Sequence, residues 1–153
     1  MKYLSILTLL LFSLSCSTVN ELNQNDRLYI NNLNDLDGIY ASTKKGIEYK
    51  SIDTDNRSYI LYSAPEIPTH SFAMLSVSEI QDYKPDILIG IRITLNENGA
   101  DKFAALTERN IGKRLHLVIN KTVLSSPIIN DRIASGQVLF FVPKKKFNRY
   151  FRQ

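Results

Sequence analysis

The sequence predicts an α+β fold, a mostly antiparallel sheet with one main helix over about residues 97–110 packed on one face. Three observations predict it. Residues 87–95 form a long apolar run rich in isoleucine. Residues 97–110 carry apolar side chains at helical spacing, with start and stop signals at the two ends. The other apolar segments are short, often alternate with polar residues, and are separated by turn clusters. Strands in series around one helix, without repeated strand–helix units, belong to the α+β class.

Taken in order, residues 38–42 and 47–52 read as the arms of a hairpin around Thr43-Lys44-Lys45-Gly46. The second arm alternates apolar and polar residues, as a half-buried strand does. Asp53-Thr54-Asp55-Asn56 is a turn cluster. Residues 59–62 make another short strand, closed by the loop around Pro65 and Pro68. Residues 75–80 alternate as a strand, and Tyr83-Lys84-Pro85-Asp86 turns the chain into residues 87–95. The first half of that strand is apolar on both faces, which predicts a central place in the sheet.

Asn96 is the expected helix N-cap, since its side-chain oxygen accepts from a free amide of the first turn. Glu97 suits the positive end of the helix dipole. Ala100, Phe103, Ala104, Thr107 and Ile111 share one face, and Gly112 is placed to close the helix. Residues 114–119 return as a strand. Asn120-Lys121-Thr122 then turns tightly into Val123-Leu124, Pro127 starts a bend, and residues 137–142 end a single domain spanning 28–142.

The ends of the chain have a different character. Residues 1–15 read as a signal peptide: Lys2, an apolar run over residues 4–14, then small residues. That run is shorter than the ~20 apolar residues a transmembrane helix needs. Cys16 is the sole cysteine and follows Ser13-Leu14-Ser15, close to a lipobox with its leucine displaced by one place. Ordinary cleavage after Ser15 is the rival reading. A lone cysteine in an exported chain favours lipid attachment, and acyl chains on Cys16 would hold the domain on a membrane. Ser17 after the cysteine favours the outer membrane. Residues 16–27 read as a polar tether.

Residues 143–153 form a basic aromatic tail after Pro143 stops the last strand. Lys144, Lys145, Lys146, Arg149 and Arg152 are interleaved with Phe147, Tyr150 and Phe151. Without these cations the formal charge of +4 for the whole chain would be close to balanced. Such a tail suits anionic lipid or an acidic partner. The plainer reading, a solvated and frayed terminus, carries more weight for so short a segment. Nucleic acid is not expected for an exported chain.

Three linked motifs resemble one family. Thr94-Leu95-Asn96-Glu97-Asn98-Gly99-Ala100-Asp101-Lys102-Phe103 is followed by Thr107-Glu108-Arg109-Asn110-Ile111-Gly112-Lys113-Arg114-Leu115. The third is Val123-Leu124-Ser125-Ser126-Pro127-Ile128-Ile129. Together they resemble the head part of the large periplasmic domain of SecD, a subunit of the bacterial export machinery, over residues 59–142. The resemblance implies a head-like fold and contact with polypeptide chains, and no catalytic residue at these positions. SecD also has transmembrane helices and a second, base part, which have no counterpart in the residues read here.

No constellation for catalysis stands out, so no enzyme, cofactor, metal or small-molecule substrate is expected. His70 and His116 are the only histidines. His116 reads as a satisfied strand histidine and His70 as a loop residue. Asp35, Asp37, Asp53 and Asp55 read as turn residues. Ser125 and Ser126 lack the glycine elbow of a nucleophile. Tyr29, Tyr40, Tyr49, Tyr59 and Tyr62 are either a contact surface or plain sheet cover. The expected function is a non-enzymatic envelope lipoprotein that binds a protein partner or an unfolded exported chain. The alternative is a structural lipoprotein using anchor and basic tail, with no export role.

Overall fold

The computed structural model describes residues 33–52, 57–81 and 87–151. The expected signal peptide, Cys16, the tether, Tyr29, the turns at 53–56 and 83–86, and Arg152 lie outside the described residues. The elements run β1 (Gly38–Ser51), β2 (Ser58–Leu61), β3 (Ile67–Pro68), β4 (Phe72–Gln81), β5 (Ile87–Leu95), α1 (Glu97–Arg109), β6 (Leu115–Ile119), β7 (Thr122–Ser125), β8 (Gln137–Pro143) and α2 (Lys144–Phe151). The fold is α+β, as the sequence predicts.

The strands form two sheets. β5 lies between β4 and β8, antiparallel to both, which is the central place its apolar run predicts. The second sheet has the order β2-β1-β6-β7, with β3 added on β1. Alternation explains why two sheets make one core. Ile89, Ile91, Ile93 and Leu95 point from β5 to the same side, and meet Ile39, Ala41, Leu115, Leu117 and Leu124 of the second sheet. Phe103 and Leu106 of α1 and Phe140 and Val142 of β8 complete this core.

The hairpin expected over residues 38–52 is not present. β1 is one 14-residue strand. Its start pairs with β6 and β3, and its end with β2 and, in parallel, with β7. The residues between Ser42 and Ile47 bulge, both of these facing Leu61. Gly46 permits the bulge, because a Cβ there would lie 1.9 Å from the Leu61 carbonyl oxygen. The turn signal was real, but the chain uses it as a bulge that bends the strand. Because β1 bonds to both β6 and β7, the sheet curls round a second cluster of Tyr40, Tyr49, Leu61, Val118 and Val123. The β6–β7 turn is as expected: Asn120 and Lys121 both have positive φ, 49° and 60°, and Ile119 pairs with Thr122.

Helix α1 begins as its capping signal predicts. The Asn96 side chain accepts from the Gly99 amide at 2.8 Å, and Gly112 follows the helix with φ 78°. Its buried face differs at the end. Phe103, Ala104, Leu106 and Thr107 are buried, whereas Ile111 is exposed, because it lies past the C-cap Asn110 and pairs with Ile129 instead.

The largest difference concerns residues 143–153. A solvated, frayed terminus is not what forms there: Lys144–Phe151 is helix α2. Phe147 and Phe151 are four residues apart, so they share one helical face. They are 2% and 4% exposed in the main core, with ring centroids 4.5 Å apart. The Tyr150 hydroxyl bonds Thr122 Oγ1 and donates to the Asn120 carbonyl at 3.1 Å. The aromatic residues therefore dock the helix, and the cations occupy its remaining sides.

Candidate functional site

The buried polar groups hold the structure together. Asp37 is fully buried, and its carboxylate accepts from the amides of Asn34 at 2.9 Å and Asn120 at 2.7 Å. This ties the start of β1 to the β6–β7 turn. Desolvation pushes its carboxyl up, opposed by the two backbone hydrogen bonds. His116, also fully buried, has Nε2 2.8 Å from Ser42 Oγ and Nδ1 2.9 Å from Ser126 Oγ. The Tyr59 ring lies over it with centroids 4.4 Å apart. Burial first, and the charge of Arg114 second, hold the imidazole down at about 4.

His116 and Ser126 are thus neighbours, which spacing alone did not reveal. Both are sealed from solvent at 0% and 1% exposure, so the pair is a polar link across the second sheet and offers a substrate no access. His70 is exposed in the 3-10 turn Thr69–Ser71. Among the described residues no three His, Cys, Asp or Glu side chains are grouped to hold a metal. No helix among them is long and apolar enough to cross a membrane. A cavity of about 460 Å³ is lined by Lys50, Ser51, Ile52, Ser58, Thr122 and Tyr150.

The tyrosine surface is smaller than the sequence suggests. Tyr40 and Tyr49 are buried with centroids 5.5 Å apart, and Tyr59 packs on the second cluster. Tyr62 remains exposed. Their alternation served a second apolar cluster on the far face of a curled sheet.

What is left open is the three-stranded sheet. The register places Met74, Ser76, Ser78 and Ile80 of β4 beside Leu88, Gly90, Arg92 and Thr94 of β5, then Leu139 and Phe141 of β8, on one outer face. Ile80 and Leu139 lean over Gly90, where a Cβ would meet them at 2.5 and 3.3 Å. Met74 and Phe141 are 54% and 44% exposed. Ser125 on β7 donates to the Phe141 carbonyl of β8 at 2.9 Å. β4 has no strand on its far side among the described residues. Sequence reading found β4 but not its exposure. The available signal was the lack of Pro, Lys and Arg in residues 72–80, which means little until the strand is known to be an edge.

Of the tail cations, Lys144 pairs with Glu79 of β4 at 2.5 Å. Lys145 and Arg149 are at the surface and Lys146 is half-buried.

Several known proteins are similar to this chain. The protein translocase subunit SecD of Desulfurispirillum indicum is 51% identical over 47 residues, 31% of this chain and 9% of that protein. SecD of Aquifex aeolicus is 41% identical over 49 residues, 31% of this chain and 10% of its own length. The chain thus spans about a tenth of the length of the curated relatives it matches. Among solved structures, SecDF in a super-membrane-facing form superposes with a TM-score of 0.50 at 23% identity, over 78% of this chain and 18% of that one. This shows likeness of fold. A second structure, of SecDF as a membrane component that enhances protein export, gives 0.49 at 22% identity, over 80% of this chain and 63% of that one. Residues 49–140, more than half of the chain, match the SecDF P1 head subdomain, and the chain belongs to that family.

Proposed function

We propose that this chain is a non-enzymatic envelope lipoprotein, held on a membrane by acyl chains on Cys16, whose head-like domain binds polypeptide beside the export machinery. The membrane is the outer one, and the bound polypeptide is an envelope protein or an unfolded exported chain. The observation that carries the reading is the family match over residues 49–140, whose curated relatives are translocase subunits. The test is photocrosslinking in intact cells from Met74, which is exposed on the outer face. Crosslinks to translocase subunits or to exported chains are expected, and crosslinks to neither remove the export role. Fractionation of Cys16→Ala tests the anchor: release from the membrane is expected, and retention argues against lipid attachment.

A second reading is a structural lipoprotein that uses its anchor and the cations Lys144, Lys145, Lys146, Arg149 and Arg152. Surface-placed Lys145 and Arg149 favour it. Deleting the tail is the wrong test, because Phe147 and Phe151 belong to the core. Lys145→Glu leaves those rings in place. Loss of localisation with the fold intact supports the structural reading, and unchanged localisation counts against it.

A further inference from the structure

We propose that the free edge of β4 is a docking strand for an extended segment of unfolded polypeptide that carries apolar side chains at alternate positions. This rests on the polypeptide-binding reading above and names its site. A sheet edge presents unpaired N–H and C=O groups along its length, and natural proteins usually shorten, cover or charge such edges. The other edges here are managed in those ways. β2 has four residues and β3 two. The far side of β7 is closed by the end of β1, while β8 has seven residues, ends in Pro143 and is met at the Phe141 carbonyl by Ser125. β4, with ten residues, is the longest terminal strand among the described residues and has no strand on its far side. Its register with β5 shifts between Phe72 and Met74 and then runs unbroken from Met74 to Ile80.

The chemistry of this edge selects the occupant. Residues 72–80 contain no Pro, Lys or Arg, and the one charge, Glu79, is paired with Lys144. Along β4 itself the edge therefore offers an incoming segment only this paired charge, while Arg92, one strand in and opposite Ser76, is the cation on the outer face. Leu75 and Val77 pack against the main core from one face, so an added strand places alternate side chains beside them, where apolar residues extend the core. On the other face Ser76 and Ser78 are small, and between Met74 and Ile80 they leave room for varied side chains. Main-chain bonds would supply most of the affinity and alternate apolar positions the selectivity, the mode by which an extended peptide adds to a sheet.

Amide hydrogen exchange followed by NMR tests this on the whole mature chain, with Cys16→Ser to keep it free of lipid. The probe is a reduced, carboxymethylated protein that cannot fold. Added probe is expected to slow exchange about tenfold or more at alternate amides between residues 74 and 80, with β6 and β7 unchanged. Ser76→Lys together with Ser78→Lys, which charges the edge, is expected to weaken binding by about tenfold while the spectrum of the rest of the domain is kept. Unweakened binding to that variant overturns the proposal. Slow exchange at these amides in the isolated chain also overturns it, identifying a second copy if it grows with concentration and another part of the same chain if it does not. Binding without any change in β4 overturns the site but leaves the polypeptide-binding reading standing, and no binding at all removes both.

Discussion

Truncating Phe147 tests whether the C-terminal helix belongs to the domain. Phe147 is 2% exposed, stacks on Phe151 at 4.5 Å and sits in the main core. Phe147→Ala removes a buried ring and leaves a cavity, which costs about 3–5 kcal/mol. That range already includes the lost contact with Phe151, a pair worth about 0.5–1.5 kcal/mol beyond its buried area. Against a total stability of about 5–15 kcal/mol for a domain of this size, the loss is a large fraction of the whole. The assay is urea unfolding of the Cys16→Ser chain, read by circular dichroism. The midpoint is expected to fall sharply with the slope kept, since a changed midpoint at constant slope reports stability alone. Lys145→Ala, on an exposed position of the same helix, is expected to stay within about 0.5 kcal/mol of the parent. A loss below about 1 kcal/mol for Phe147→Ala, matching that control, would refute the packing of α2 into the core.

Three further outcomes follow from individual contacts. His116 is held at about 4 in the folded chain against 6.5 for the free side chain. A depressed histidine contributes stability that is complete above about pH 6.5 and lost as pH falls towards 4, up to about 3 kcal/mol at ~1.4 kcal/mol per pH unit. Urea midpoints across that window should slope downward with acid, and His116→Gln should flatten the slope; an equally steep slope in the variant would assign it to other groups. Asn96→Ala removes the α1 cap and its bond to the Gly99 amide, with an expected loss of about 1 kcal/mol by urea unfolding; no loss would deny the cap a role. Gly46→Ala drives a methyl group against the Leu61 carbonyl. It should destabilise by at least about 1–3 kcal/mol, the cost of forcing extra volume into a packed site, whereas Lys45→Ala beside it should not.

The parts of the fold that were legible in the sequence are those fixed by local chemistry. Asn96 caps the start of α1 as read, because capping requires only neighbouring residues, whereas the C-cap is Asn110 and Gly112 lies two residues beyond it, its amide bonded to the Ile129 carbonyl. The apolar run of β5 announced a strand with neighbours on both sides. The β6–β7 turn was legible because Asn120 tolerates positive φ. What could not be read depends on distant partners. Thr43-Lys44-Lys45-Gly46 has the composition of a turn, and only the pairing of both ends of β1 with other strands makes it a bulge. The tail reads as solvated because three of its first four residues after Pro143 are lysines. The buried pair Phe147 and Phe151 is a spacing of four that acquires meaning once the core offers a place for it.

The same division holds for the candidate site. His116 as a satisfied buried side chain follows from its apolar strand neighbours, but its partners Ser42 and Ser126 come from residues 74 and 10 positions away. The free edge of β4 was not legible, since edge status is a property of sheet order, and the lack of Pro, Lys and Arg in residues 72–80 acquires meaning only once that order is known.

The most direct measurement on the central claim is equilibrium binding of the Cys16→Ser chain to one protein presented in two states, reduced and carboxymethylated or native. A fluorophore on that protein reports binding by anisotropy. Saturable binding of the unfolded form at about micromolar dissociation constant, equivalent to about 8 kcal/mol, with none of the native form, is the predicted result. Equal binding of both forms, or binding of neither, would contradict the claim that this head-like domain recognises extended polypeptide.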